Sequence, residues 1–547
     1  MPGEDLSIEI KNPILLVSLI VIAFFTGLCF SVTLNSPIAF GDEGYYVHIG
    51  RWIAQNFEYP INVPLYGTKL AYFDFPRPPA WDFLQSGFYM LFGFSEILVK
   101  FLTPFISFLT GVSVYILVKK MFNEKIGLVT ALALITIPAY VTYSVLFYVE
   151  MLLVFYINLS FLLAALAYQT GERKYWIVSG IFAALSILTK TSGYFTLLSY
   201  AFFFLLYLYK KRFDEIKRTF PLLVIIVLLL IGPLYLRNQI YYGSTQIPFI
   251  SGSSKPTSIQ YTPQNQFAGR ATETQTEAAL ISFGIGNYVN FAFGILWFVP
   301  LGFAIGLFLL WIERESKFIF VVPLLLMLIP LTYFSLNIRV EDTARYVLGL
   351  SLGIAFSVGV LGGKLWKVLE EKNKYIGYVL ILLLIFAAYW NLNSKLTAAR
   401  FYNSQTKSYA GYKQFSPSFF DMCNYIKSNL PKDAILLSLH THPTVYNCER
   451  QAFWNLPDLA DIIVTNNTSL MKERLKANGI THIFVQKFSL SNEPVFLSYP
   501  LSFVETLVND TKDFKQVREN GASLDFCKSA LAQGSVCDGT ILFEVLG

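Results

Sequence analysis

The stretch PILLVSLIVIAFFTGLCFSVTLNSPIAFGDEGYY, residues 13–46, combines the two features that decide the fold. Residues 13–34 are mostly apolar and carry no charge, and about 20 such residues can cross a bilayer as a helix. Two acids, Asp42 and Glu43, follow shortly after that segment. The segment is too long, and too free of a small-residue cleavage site, for a simple signal peptide. The sequence therefore predicts a membrane helix that leads to an acidic pair near a membrane boundary.

The composition extends this pattern over most of the 547 residues. Charged residues make up only 14% of the chain, against about 25% in an average soluble domain, and the mean hydropathy is +0.50. These values exclude a disordered protein and argue against an ordinary soluble enzyme. We therefore predict an α-helical polytopic membrane protein. Its eleven predicted spans are residues 13–34, 97–118, 126–146, 149–168, 175–189, 193–209, 219–236, 291–311, 318–336, 345–362 and 375–392.

Lys and Arg in the short connections predict the orientation of these spans, because basic residues are retained on the cytoplasmic side. Clusters such as 119–120 and 210–212 place alternate connections, and the N-terminus, in the cytoplasm. The long segments 35–96 and 237–290, and the C-terminal region, are then extracytoplasmic. The net charge of +6 lies mostly in the membrane part, so it indicates topology and no nucleic-acid partner is predicted. The predicted location is the plasma membrane, as a multi-pass protein.

The segment GDEGYYVHIGRWIAQ, residues 41–55, is the first candidate functional motif. Its apolar residues recur at three- and four-residue spacing, which predicts a short amphipathic helix on the membrane interface. Asp42 and Glu43 stand at the start of that helix. Asp42 is either a chemical group of an active site or simply the N-cap of the helix, and the residues alone allow both interpretations.

Acids occur at two further positions that the topology places outside. Asp74 and Arg77 precede the Pro78–Pro79 pair in a stiff turn, which is equally compatible with an ordinary loop ending at the next span. Glu150 lies in an apolar run, where an ionisable group is costly unless it faces protein or water. It either approaches Asp42 and Asp74 at the outer face or reaches the lipid headgroups as a boundary residue.

Three basic residues are predicted at the same outer face, namely Lys190, Arg237 and Arg345. Each taken alone is explained by snorkelling toward the interface. Together they suit a lipid-linked phosphate, while nearby carboxylates suit a general base or a divalent metal. Glu150 and Asp74 are the candidate ligands for Mg²⁺ or Mn²⁺, although no pair of acids has the spacing of an Asp-x-Asp motif. The combination indicates phosphate-leaving-group chemistry on a membrane-borne substrate.

These motifs, in their order and their alternation with the spans, resemble the polyprenyl-phosphate-sugar-dependent glycosyltransferases of the GT-C fold. The resemblance covers nearly all of residues 1–392. It is closest to the group that contains protein O-mannosyltransferases and bacterial lipid A aminoarabinose transferases. The features that carry it are the Asp42–Glu43 pair with Tyr45 and Tyr46, the stretch from Phe73 to Pro79, Glu150, the run from Gly180 to Lys190, PLYLRN at 233–238, and Arg345–Tyr346.

The resemblance implies an inverting transferase that moves a sugar from a dolichyl- or undecaprenyl-phosphate donor to a hydroxyl acceptor at the extracytoplasmic face. Asp42 would be the general base, and Glu43 would orient it or bind the acceptor. Lys190, Arg237 and Arg345 would hold the donor phosphate. Contacts with the acceptor or substrate are expected at Tyr45, Tyr46, Asp74, Arg77, Asn238 and Tyr346.

The acceptor stays open on the sequence, as a glycan, a lipid or a protein. Arg77 stands where protein O-mannosyltransferases commonly carry a histidine, and the sequence has no WWDYG-like motif of the oligosaccharyltransferases. Two other classes compete: a lipid-linked glycan transporter or flippase, and a non-catalytic membrane scaffold with a binding ectodomain. A transporter places ionisable groups along a central path, whereas here they cluster at one face. A scaffold leaves the boundary charges without a role.

Residues 393–547 predict a small extracytoplasmic α/β domain that follows a membrane domain of residues 1–392. Two helix-to-strand units and a closing strand imply a small sheet with helices on it. The predicted strands are 434–439, 481–486 and 540–546.

Cysteine and histidine residues of this domain supply two further expectations. An even number of cysteines in an exported domain favours disulfides, and the most local of three possible connectivities pairs Cys423 with Cys448 and Cys527 with Cys537. His440 and His442 either belong to a polar loop or form half of a metal site.

Overall fold

A helical bundle is followed by an α/β domain in the computed structural model of the protein. The residues that the structure describes are 13–34, 38, 42–61, 78–243, 348–372, 379, 381–387, 389–390, 393, 402–403, 408–409, 417–453, 467–491, 499–533 and 537–547. The helices of the bundle part are α1 (Pro13–Leu34), α2 (Glu43–Asn56), α3 (Ala80–Phe92), α4 (Glu96–Met121), α5 (Glu124–Thr136), α6 (Pro138–Ser144), α7 (Glu150–Thr170), α8 (Arg173–Ile187), α9 (Thr196–Tyr209), α10 (Phe213–Tyr242) and α11 (Ser351–Lys372).

Six helical segments of the described residues are long and apolar enough to cross a membrane. They are Leu16–Leu34, Glu96–Met121, Glu150–Thr170, Thr191–Tyr209, Phe213–Tyr241 and Ser351–Glu371. Their side chains are buried where they meet other helices and largely apolar where they are exposed, as Phe24 and Leu229 illustrate. This distribution suits a multi-pass membrane protein, whose outer surface faces hydrocarbon.

Several predicted spans agree with the helices that form. The predictions 13–34, 97–118 and 149–168 coincide with α1, α4 and α7 to within three residues. α10 extends beyond the predicted 219–236 at both ends. The predicted span 193–209 corresponds to a 3-10 turn at Thr191–Phe195 with α9, and 345–362 corresponds to α11, which continues past the predicted end. The predicted span 175–189 coincides with α8, which has 15 residues and is not among the six segments above. The predicted spans 291–311 and 318–336 lie outside the described residues, and 375–392 is described only in part.

The prediction of one continuous span over 126–146 is wrong. α5 ends at Thr136, Ile137 adopts an extended conformation, and α6 begins with Pro138. Proline has no amide hydrogen to donate, and it disfavours helical geometry for the residue before it. The break therefore follows from Pro138, and the short α6 ends at Ser144, before the segment that leads into α7.

Close helix packing at the centre of the bundle depends on glycine. α11 lies against α5, and Cβ atoms at Gly359 and Gly363 would collide with Thr130 and Ile126 of α5. The four-residue spacing puts both glycines on one helix face, which lets the two backbones approach as in small-xxx-small contacts of membrane helices. α4, α7 and α8 extend this packing toward α10.

Two helices of the first long loop lie at one end of the bundle. The predicted amphipathic helix over 41–55 is confirmed as α2, which buries Tyr45, Tyr46, Ile49 and Ile53. α3 packs along α2 and has no counterpart in the sequence prediction. The apolar face of α2 is thus covered by protein.

The α/β domain contains one five-stranded sheet. Its order is β4-β3-β5-β9-β8, in which β3 pairs in parallel with β4 and β5, while β9 is antiparallel to β5 and β8. The strands of the domain are β1 (Tyr402–Asn403), β2 (Ser408–Tyr409), β3 (Ile435–Ser438), β4 (Gln451–Phe453), β5 (His482–Gln486), β6 (Leu490–Ser491), β7 (Tyr499–Pro500), β8 (Phe514–Gly521) and β9 (Gly539–Val545). The helices are α12 (Pro417–Asn429), α13 (Thr441–Cys448), α14 (Thr468–Ala477), α15 (Leu501–Asn509) and α16 (Leu524–Ala532).

The sequence expectations for this domain are largely met. The three predicted strands correspond to β3, β5 and β9, and the prediction of a small α/β region is confirmed. Disulfides join Cys423 to Cys448 and Cys527 to Cys537, which is the most local of the three connectivities. The first disulfide fastens the C-terminal end of α13 to α12 and so fixes a helix that contacts the bundle.

Candidate active site

Asp42 occupies the N-cap position of α2, but its side chain makes no capping hydrogen bond with that helix. The alternative that this acid merely caps the helix is therefore not supported. The backbone amide of Asp42 donates to the Tyr148 hydroxyl at 3.2 Å. The Asp42 side chain is 31% exposed, so the residue is anchored through its backbone while its side chain is partly accessible.

Glu43 has a different environment, although it is adjacent in sequence. Its side chain is buried, and Oε1 accepts a hydrogen bond from the backbone amide of Phe147 at 3.0 Å. Lys100 lines the same small cavity. Glu43 thus ties the start of α2 to the segment between α6 and α7, and it holds the local backbone that carries Asp42.

Tyr45 and Tyr46 are both buried. The Tyr45 ring packs edge-on against the His442 ring, with centroids 5.1 Å apart, and the Tyr46 ring packs against Tyr148 at 6.1 Å. These rings hold α2 to α13 and to the segment before α7. Their predicted contacts with a substrate stay predictions.

Glu150 and Lys190 form an ion pair, with Lys190 Nζ 2.8 Å from Glu150 Oε1. The Glu150 side chain is fully buried and that of Lys190 is 19% exposed. Glu150 begins α7, while Lys190 follows the end of α8 and precedes the 3-10 turn. The two residues were expected to have separate roles, as a metal ligand and a phosphate contact, and the structure brings them into direct contact.

Arg237 lies in the last turns of α10, next to Asn238. Its guanidinium donates to the backbone carbonyl of Pro60 at 2.6 Å and to Asn238 Oδ1 at 3.2 Å. The same group lies 4.6 Å from the centroid of the Tyr59 ring. Asn238 is buried, so it serves to orient the guanidinium. These contacts join the end of α10 to the residues that follow α2.

The predicted residues that the structure describes therefore belong to one connected set at one end of the bundle. Hydroxyl contact between Tyr194 and Tyr235 links the segment after Lys190 to the turn before Arg237. Lys100 Nζ donates to the Leu34 carbonyl at 3.3 Å, which places the end of α1 there too. The connected pairs are Asp42 with Tyr148, Glu43 with Phe147, Glu150 with Lys190, Tyr194 with Tyr235, and Arg237 with Pro60.

Asp74, Arg77, Arg345 and Tyr346 lie outside the described residues, so their predicted roles stay predictions. The backbone amide of Ala80 donates to the Leu188 carbonyl at 2.8 Å, which anchors the end of the loop that carries Asp74 and Arg77. Within the described part of the chain, no three His, Cys, Asp or Glu side chains are grouped as metal ligands.

His442 is a site residue that the sequence prediction missed. Its Nε2 lies 3.7 Å from Asp42 Oδ1, although the two residues belong to different domains. No local signal in the sequence indicates this contact. His440 makes a different contact, in which its Nε2 is 2.7 Å from Ser489 Oγ. Burial, together with the charge of His442, lowers the pKa of His440 to about 4.

Part of the sequence matches a family of known proteins. Residues 76–235 match the model of the dolichyl-phosphate-mannose-protein mannosyltransferase family, a range that includes Glu150 and Lys190. No curated protein matches the sequence.

Solved structures of three glycosyltransferases are similar over most of this chain. The oligosaccharyltransferase AglB from Archaeoglobus fulgidus, in complex with an inhibitory peptide and a dolichol-phosphate, has a TM-score of 0.59 at 15% identity, covering 86% of this chain and 69% of its own. ArnT from Cupriavidus metallidurans, bound to undecaprenyl phosphate, has a TM-score of 0.58 at 12% identity, covering 96% and 97%. The arabinofuranosyltransferase AftD from Mycobacteria has a TM-score of 0.51 at 12% identity, covering 96% and 40%.

The family model and all three structures are those of glycosyltransferases, in agreement with the enzyme class predicted from the motifs. At these identities the structures establish the fold. The chain therefore has the GT-C fold of polyprenyl-phosphate-sugar-dependent glycosyltransferases, which confirms the predicted fold class.

Proposed function

We propose that the protein is an inverting glycosyltransferase that moves a sugar from a polyprenyl phosphate to a hydroxyl acceptor at the extracytoplasmic face of the membrane. One observation carries the proposal: an accessible carboxylate, Asp42, lies at the same end of the bundle as the cations Lys190 and Arg237. This arrangement supports a site in which a proton acceptor and candidate phosphate contacts lie at one end of the bundle, which in the proposed orientation is the extracytoplasmic end. The basic connections at the opposite end support the outward orientation.

Asp42 would act as the general base. Its carboxylate accepts the proton of the acceptor hydroxyl while the acceptor oxygen forms a bond to the anomeric carbon of the sugar. Attack from the face opposite the leaving group inverts the configuration at that carbon. Glu43 is buried and hydrogen-bonded to the Phe147 amide, so it positions Asp42 and does not itself meet the acceptor.

The bond between the anomeric carbon and the phosphate oxygen breaks in the same step, and polyprenyl phosphate leaves with the electron pair. Arg237, with Arg345 as a further candidate, would stabilise the negative charge that develops on this leaving group. Lys190 would contribute its charge from the ion pair with Glu150.

The neighbours support a lipid-linked donor, because AglB was solved with a dolichol-phosphate and ArnT with undecaprenyl phosphate. They do not define the acceptor, since the peptide in the AglB structure is an inhibitory one and ArnT was solved with the lipid phosphate. We therefore propose a polyprenyl-phosphate sugar as the donor and leave the acceptor as a hydroxyl of a glycan, a lipid or a protein.

The test is transfer by the purified protein in the presence of a panel of polyprenyl-phosphate sugars, with mass spectrometry of the released lipid and of the product. Asp42→Asn preserves size but removes the proton acceptor, and we expect it to lower turnover by about 100-fold or more. Donor binding should change little. Turnover within about threefold of the parent would rule out Asp42 as the base.

Asp421→Asn is the matched control, because Asp421 lies in α12 of the α/β domain and is exposed. The Asp421→Asn variant should have the same turnover as the parent protein. A parent protein that releases lipid from none of the donors would overturn the proposed function itself.

A further inference from the structure

The α/β domain contacts the acidic motif through one short helix, α13. A Cβ atom on Gly44 of α2 would lie 2.9 Å from both the His442 carbonyl oxygen and Tyr446 Cβ, so the two helices touch backbone to backbone. Asn447 Nδ2 donates to the Ile38 carbonyl at 3.1 Å. The contact thus fixes α13 on the first turn of α2, beside Asp42.

His442 projects from this contact toward the carboxylate. Its Nε2 is 3.7 Å from Asp42 Oδ1, and the two side chains are 35% and 31% exposed. Tyr45 packs against the other side of the imidazole. A histidine held between an aromatic ring and a carboxylate has few alternative orientations, and a partly accessible pair can still meet a substrate.

We propose that His442 is a positioning residue for Asp42, so that the α/β domain completes the active site of the membrane domain. At 3.7 Å the imidazole Nε2 is too far from Asp42 Oδ1 for a hydrogen bond in this state. Catalytic hydrogen bonds often tighten only when the substrate is bound, so the imidazole is placed to donate Nε2–H to the carboxylate at that stage, and a protonated imidazole adds the attraction of its charge. Since small misplacements of a catalytic group are costly, the position of the base then depends on the docking of α13. The inference rests on the proposed function, in which Asp42 is the base.

The competing explanation is that His442 only packs α13 against Tyr45. Two substitutions separate these roles. His442→Phe keeps a flat ring against Tyr45 but removes the nitrogen that faces Asp42. His442→Gln keeps an N–H donor but loses the ring. A positioning role predicts that the Gln variant is the more active one, whereas a packing role predicts the reverse order.

The experiment measures kcat and KM for the donor with the full-length chain in detergent or in vesicles. We expect His442→Phe to lower kcat by about tenfold or more, with the KM for the donor changed less than about twofold. His442→Gln should keep a clearly larger share of kcat. His482→Gln is the matched control, because His482 lies in β5 and pairs with Leu436 and Glu544 in the sheet; its kcat should equal that of the parent. Equal kcat in the Phe and Gln variants, or a more active Phe variant, overturns the positioning role.

Thermal unfolding supplies a readout that does not depend on activity. The single variants Asp42→Asn and His442→Phe and their combination form a double-mutant cycle. We expect the combined shift in melting temperature to be smaller than the sum of the single shifts, because each substitution breaks the same contact. Additive shifts contradict the contact. An inactive parent overturns the proposed function, whereas an active parent with additive shifts and equal Phe and Gln kcat overturns the positioning role alone.

Discussion

The two ends of the helical bundle both carry ion pairs, but the pair described at one end is exposed to solvent and the pair at the other end is largely buried. At the end opposite the acidic motif, Lys174 and Glu172 pair at 2.5 Å with side chains that are 67% and 43% exposed. At the acidic end, Lys190 and Glu150 pair at 2.8 Å with side chains that are 19% and 0% exposed. Exposed pairs contribute little because water screens them, whereas a buried charge must be compensated inside the protein.

The exposed pair fits a role in topology, and the buried pair fits the chemistry that we propose for the acidic end. The exposed Lys174 fits the predicted preference of basic connections for the cytoplasm, and an exposed pair of this kind contributes little to stability. The acidic end retains buried charges at a cost in desolvation. Strongly desolvated ionisable groups at one location are typical of functional sites, which agrees with the assignment of Asp42 to that end.

The largest expected effect comes from breaking the buried pair. Lys190→Met leaves the buried Glu150 carboxylate without its ammonium partner, and loss of one member of a buried pair typically costs about 3 kcal/mol or more of unfolding free energy. We expect a clear drop in melting temperature, which the addition of Glu150→Gln should partly restore. Lys174→Met is the matched control at the other end and should leave the melting temperature unchanged. Equal shifts in melting temperature for Lys190→Met and Lys174→Met would contradict the proposed difference between the two ends.

A smaller effect concerns pH and the α/β domain near the acidic end. Because burial and the charge of His442 lower the pKa of His440 to about 4, against an unfolded value of about 6.5, the unfolded chain binds the proton more tightly. The stabilisation from neutral His440 is therefore complete above about pH 6.5 and is lost as pH falls toward 4. The loss amounts to about 2 kcal/mol at pH 5.

The measurement is the melting temperature of the full-length protein between pH 7 and pH 5. The parent should lose stability faster than His440→Gln, since the variant has no group that titrates at that position. Parallel pH profiles would show that His440 keeps an ordinary pKa in the folded state.

The smallest expected effect concerns Arg237, for which we propose a contact with the donor phosphate. Arg237→Ala should lower turnover on the order of tenfold, because one charge-assisted hydrogen bond to the leaving group contributes roughly 1.5 kcal/mol or more. Arg237→Lys should recover only part, since lysine keeps the charge but loses the planar fork. Arg212→Ala, at the opposite end of the bundle and paired with Glu215, is the matched control. If Arg237→Ala and Arg212→Ala have equal turnover, Arg237 has only a structural role, in which it binds the Pro60 carbonyl.

Local sequence patterns predicted much of the fold. Apolar length alone located α1, α4 and α7, three- and four-residue spacing located α2, and helix-to-strand alternation located β3, β5 and β9. These elements are predictable because one periodicity or one length decides each of them. The break before Pro138 was missed since hydropathy continues through it, although proline chemistry marks it.

The site was less predictable because its contacts are tertiary. The sequence predicted Asp42, Lys190 and Arg237 as site residues because they are charged and lie near the ends of predicted spans. The structure brings them to one end of the bundle. The pairing of Lys190 with Glu150 depends on how α7 and the end of α8 pack, which no spacing of 40 residues reveals. The contact of His442 with Asp42 depends on the docking of the α/β domain on the bundle. Neither the sequence around Asp42 nor the sequence around His442 predicts it.

The docking of α13 on α2 also has a consequence for the biogenesis of the protein. Asn447 and Ile38, which meet in this contact, are 409 residues apart. At a synthesis rate of roughly 5 to 20 residues per second, α2 leaves the ribosome roughly 20 to 80 seconds before its partner. During that interval the acidic motif is present without α13. In the orientation that we propose, the Cys423–Cys448 disulfide that fastens α13 forms only after the domain reaches an oxidising compartment. Completion of the proposed site then requires translocation of the α/β domain, so a chain that ends before α13 has the acid pair but not its contact with His442.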